Sequence, residues 1–120
     1  MTFNREDGIK ELKTLPRIGD KLASILWRIG IHSISDLKFQ SAEELYERYN
    51  TLIGKKGNRA LMYIVRCGIY VSCVPEQLRE KEKLQWFYWN DLKNPKCVSE
   101  LETIQNELGI LVTSQKAKSK

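Results

Sequence analysis

The chain has 120 residues, 42% of them hydrophobic and 29% charged, with a net charge of +5. That is the balance of a globular protein with one modest core. No run approaches the roughly 18 apolar residues of a membrane span, and Arg5, Glu6 and Asp7 stand where a secretory signal needs an apolar core. The expected location is therefore the cytoplasm, with no membrane partner.

The positive charge favours an anionic partner without naming one, since nucleic acid, membrane surface and acidic protein all fit. Part of it is Lys116, Lys118 and Lys120 in the tail. Cys67, Cys73 and Cys97 are odd in number and lack the C-x-x-C spacing of a zinc or redox site. They are expected as plain buried or half-buried thiols in a reducing compartment.

In chain order, a first helix is predicted from about Asn4 to Lys13, with Phe3, Ile9 and Leu12 on one face and Asn4 and Asp7 as its cap. Leu15 and Pro16 stop it, because proline removes a donor and pushes its predecessor out of the α region. Leu22, Ala23, Ile25, Leu26 and Ile29 give a second helix from Asp20 to about Ile29, closed by Gly30. Ser33 and Asp36 cap a short turn that buries Ile34 and Leu37. Ser41 and Glu44 open a third helix with Leu45, Tyr46 and Tyr49 inward, closed at Asn50.

The helix from about Arg59 to Ser72 is apolar around most of its circumference and is predicted to be the central one. Pro75 breaks it, and a further helix is expected from about Glu76 to Leu92, charged in its first half and aromatic in its second. Trp86 and Trp89 lie three apart on that helix, positioned either to close the core or to stack on bases. Asn94 and Pro95 precede an amphipathic helix through Val98, Leu101, Ile104 and Leu108, capped by Ser99 and Glu102 and stopped at Gly109. Thus residues 1–92 read as one all-α domain, 93–112 as a C-terminal helical extension, and 113–120 as a disordered basic tail.

Two stretches carry the chemistry. Pro16, Arg17, Ile18, Gly19 and Lys21 form a glycine-bearing turn between two helices, and Ile53, Gly54, Lys55, Lys56, Gly57, Asn58 and Arg59 form another about 35 residues later. The first amides of a helix have no partners within it and sit at its positive end, so such turns suit phosphate. Glycine admits a close approach, and the lysines and arginines add charge. Contacts of this kind position a protein on nucleic acid without reading sequence. The plain alternative is a connector between two packed helices.

At these residues the chain resembles the helix-hairpin-helix DNA-binding proteins, whose turn commonly reads L-P-G-I-G-x-K-x-A. Leu15, Pro16, Ile18, Gly19, Lys21 and Ala23 match it, while Arg17 stands in place of the first glycine. Ile53 and Gly54 followed by Lys55 and Lys56 are a looser match. More widely, residues 8 to 92 resemble the bacterial pathogenicity locus family, which is similar to the C-terminal domain of the competence regulator TfoX. Gly30, Ile31, His32 and Ser33, Asp36 and Leu37, Glu44 to Tyr46, Arg66, Cys67, Tyr70, Trp86 and Trp89 carry that likeness. It implies two helix-hairpin-helix units in a SAM-domain-like fold and a DNA-binding role.

An enzyme is not expected. The single His32 neighbours Ser33 and Asp36, which serve better as helix caps than as catalytic partners. One histidine and three scattered cysteines are poor material for a metal site, and no cofactor is expected. Two functions remain: a sequence-nonspecific DNA-binding protein whose two turns each grip one strand's backbone, and a protein-interaction or homodimerisation module. The second draws on Glu43, Glu44 and Glu47 and on the apolar residues of the C-terminal helix.

Overall fold

The computed structural model describes residues 4–118, with side chains as far as residue 107. Phe3 and the lysine side chains of the tail lie outside the described residues. Five α-helices, α1 (Arg5–Leu12), α2 (Asp20–Arg28), α3 (Ala42–Ile53), α4 (Ala60–Cys73) and α5 (Cys97–Lys118), are joined by turns and short 3₁₀ segments. The described residues contain no strand.

Local capping works as the residue types dictate. Asn4 Oδ1 accepts from the Asp7 amide at 2.9 Å, and Ser41 Oγ from the Glu44 amide at 3.3 Å. Ser33 and Asp36 form a reciprocal capping box on the 3₁₀ turn Ile34–Leu37. That turn buries Leu37, while Ile34 is only half-buried. Gly30 follows α2 at φ 104°.

Helix α4 is the centre of the molecule. Met62, Val65, Cys67, Ile69 and Tyr70 are all at most 3% exposed, and α3, the Ile34–Leu37 turn, the aromatic segment Trp86–Trp89 and α5 pack around it. Its one buried charged side chain, Arg66, donates to the Trp89 carbonyl at 2.8 Å and to Glu43 at 3.0 Å. Midway along α4, Gly68 presents a bare surface on which Leu15 and Leu37 rest. That contact seats the turn between α1 and α2.

Four boundaries differ from expectation. Helix α3 continues past Asn50 to Ile53, because Gly54 takes the left-handed conformation (φ 73°) and caps it. Helix α5 begins at Cys97, so Ser99 lies inside its first turn rather than at its cap, and it runs through Gly109 to Lys118. An isolated glycine costs a helix about 1 kcal/mol but does not end it when the following residues can continue.

The fourth difference is the largest. Residues 76–92 form three 3₁₀ segments, Glu76–Leu78, Lys81–Leu84 and Trp86–Trp89, instead of one helix. Their polar groups are committed to tertiary partners. Arg79 folds back to donate to the Val71 and Val74 carbonyls, the Glu80 amide donates to Tyr70 Oη, and the Lys83 carbonyl accepts from Trp89 Nε1 at 2.9 Å. The wrap brings Trp89 to 0% exposure against Tyr70. Burying one tryptophan contributes about 2–3 kcal/mol or more, enough to override a modest helical preference among four consecutive aromatics.

Candidate nucleic-acid interface

The first turn alternates between anchor and surface. Leu15 and Ile18 are 3% and 5% exposed and belong to the core, while Arg17, Gly19, Asp20 and Lys21 face solvent. Arg17 is the one non-glycine described residue with positive φ, 65°. It therefore adopts the conformation that glycine takes readily and arginine takes at a cost of about 1–2 kcal/mol. Its guanidinium carbon lies 5.7 Å from the centre of the Trp86 ring, a cation–π contact that offsets part of this cost.

The start of α2 is open. The Ile18 amide bonds back to Leu15, and the next backbone bond is from Ala23 to Gly19. Among the described residues, no protein acceptor takes the amides of Gly19, Asp20, Lys21 or Leu22. Gly19 is extended at φ −100°, with nothing within 4 Å of where a Cβ would stand. Asp20, the one acidic group there, is paired with Lys13 at 2.6 Å. The result is a set of unpaired donors at a helix's positive end, beside an open glycine position.

The second turn is braced by side chains and its helix start is satisfied, although among the described residues no acceptor takes the Lys56, Asn58 or Arg59 amide. Asn58 Oδ1 accepts from the Ala60 amide at 2.9 Å, and the Leu61 and Met62 amides bond to the Asn58 and Arg59 carbonyls. Asn50 Oδ1 accepts from the Gly57 amide at 2.7 Å, and Tyr46 Oη donates to the Gly57 carbonyl. A side chain at Gly57 would collide with the Tyr49 ring. Arg59 donates to Asp91 at 2.8 Å, and Asp91 also accepts from Tyr63 Oη at 2.8 Å. Burial works against the Asp91 charge, yet the bonds from Tyr63 and Arg59 hold its carboxyl below the usual range. Lys55 and Lys56 are exposed, and Lys56 and Arg59 line an open groove of about 410 Å³ with Glu43, Met62 and Asp91.

The two turns meet opposite ends of one short segment. Trp86, at its start, lies beneath Arg17, and Asp91, at its end, holds Arg59. Six residues span at most roughly 20 Å, so these two contacts lie close together. Sequence reading had no signal for Asp91, which sits 32 residues from its arginine. For the left-handed Arg17 a signal exists in the motif, which has glycine at that position.

The remaining reactive groups are spent on structure. His32 Nε2 lies 3.1 Å from the Trp27 carbonyl, and its ring stacks on Trp27 at 3.9 Å. All three cysteines are free and buried, and burial pushes the Cys67 thiol up to about 12. Among the described residues no cluster of three or more potential metal ligands occurs, and no helix is long and apolar enough to cross a membrane.

Fold and site together define a small all-helical protein with one open, amide-rich turn beside an aromatic segment. Residues 5–94 match the family described as pathogenicity locus, and the chain belongs to that family. The match ends before α5. No curated protein and no solved structure matches the chain.

Proposed function

We propose that this chain is a sequence-nonspecific, non-enzymatic DNA-binding protein, with α1–α2 and α3–α4 acting as two helix-hairpin-helix units in a SAM-domain-like arrangement. The observation that carries this reading is the first turn: four amides without protein partners, an empty glycine position and two exposed cations, Arg17 and Lys21. A backbone phosphate supplies acceptors for all of them. The second turn contributes differently. The amides that open α4, from Ala60 to Tyr63, are satisfied, so Lys55, Lys56 and Arg59 act there as charges rather than as part of a helix-end cradle. The commitment of His32 and of the three thiols to packing supports a binding role over a catalytic one.

The test is a fluorescence-anisotropy titration of labelled duplex DNA at two salt concentrations. With about four phosphates neutralised, a threefold rise in salt weakens binding roughly fifty-fold, and unrelated duplexes bind alike. Affinity that is flat across that salt range, or a strong preference for one sequence, would remove this reading. A self-associating chain that binds no DNA would point to an interaction module instead.

A further inference from the structure

Beside the open turn the aromatic segment exposes one ring that the fold does not use. Phe87 is 52% exposed, although Trp86 before it is half-buried and Trp89 after it is fully buried. Its ring meets Trp86 edge-on, with centroids 6.2 Å apart and planes at 83°, and Trp86 in turn carries the Arg17 guanidinium. The order on the surface is thus cation, tryptophan, free phenylalanine. An exposed aromatic face beside a cation is the pairing with which proteins hold an unpaired nucleotide, the ring stacking on the base and the charge meeting its phosphate. In a continuous duplex every base is already stacked and paired, so Phe87 has nothing to receive there.

Resting on the DNA-binding reading above, we propose that Phe87 is a stacking site for an unpaired base, and that the protein prefers DNA in which a single-stranded tract adjoins duplex. The open turn holds the backbone while Phe87 takes the first unstacked base.

The experiment compares blunt duplex, the same duplex carrying a short single-stranded gap, and a single-stranded oligonucleotide, for the wild type, Phe87→Ala and Phe87→Tyr. Circular dichroism confirms that each variant is folded. One stacked base is worth about ten-fold in affinity, so the wild type should bind gapped DNA about ten-fold more tightly than blunt duplex. Phe87→Ala should bring that ratio to about one, and Phe87→Tyr should keep it. Equal binding of gapped and blunt DNA by the wild type, or an unchanged ratio in Phe87→Ala, overturns the stacking site and leaves duplex binding standing. Failure to bind any of the three DNAs overturns both readings. A wild type that sediments as a dimer while Phe87→Ala sediments as a monomer shows that a second copy of the chain covers the ring, and overturns the stacking site as well.

Discussion

The two glycine-bearing turns look alike in sequence and differ in what their polar groups do. Around Gly54 and Gly57 the amides that open α4 are all used internally and side chains brace the loop: Asn58 caps α4, Asn50 and Tyr46 hold Gly57, and Asp91 holds Arg59. Around Gly19, the amides at the start of α2 have no protein acceptor, and nothing stands within 4 Å of the Gly19 Cβ position. Glycine is needed at position 54 because the backbone is left-handed there, whereas position 19 imposes no such demand. The same residue type therefore closes a helix in one turn and leaves an approach open in the other.

Exchanging each glycine for valine makes the sharpest test of that contrast. Gly54→Val forces a β-branched residue to φ 73°, which should cost about 2 kcal/mol and lower the melting temperature by about 4 °C per kcal/mol. Gly19→Val fits its extended backbone and open surroundings, so its melting temperature should stay within a degree or two while duplex affinity falls about ten-fold or more. Equal melting losses for the two variants would mean that the turns do not differ as described.

Smaller effects follow from the groups that close the second turn. Asn58→Ala removes the bond to the Ala60 amide and should destabilise the fold by about 1 kcal/mol in chemical denaturation. Asp91→Asn releases Arg59 from its ion pair. It should strengthen duplex binding a few-fold and steepen the salt dependence by about one phosphate; an unchanged slope would mean that Arg59 does not reach the DNA. The smallest effect is with pH. The Asp91 carboxyl is held low in the folded state, so its contribution to stability is present above the ordinary carboxylate range. That contribution is lost as pH falls through the depressed value. Acid unfolding followed by circular dichroism should therefore begin at higher pH in Asp91→Asn than in the wild type.

Much of the frame was legible because it depends on local chemistry. The caps at Asn4, Ser33 and Ser41, the stop at Pro16 and the buried α4 each follow from residue types within one or two turns of chain. Residues 76–92 were not legible on that basis. Their conformation follows from contacts with Tyr70 and Val71 on α4 and Val74 just beyond it, which take the Glu80 amide and the Arg79 guanidinium. The candidate site divides in the same way. Arg17, Gly19 and Lys21 stand out as a motif, but Asp91 and Phe87 gain their meaning only from where the wrapped segment carries them.

By itself, then, the sequence determined the helical class, the order of the main helices and the positions of both glycine-bearing turns, because capping and periodicity act over a few residues. Tertiary structure decided which turn remained open. The Gly19 amides are free because Leu15 and Ile18 anchor that turn on the core from beneath. The second turn is filled by side chains of α3 and of its own loop, with Asp91 arriving from the distant aromatic segment.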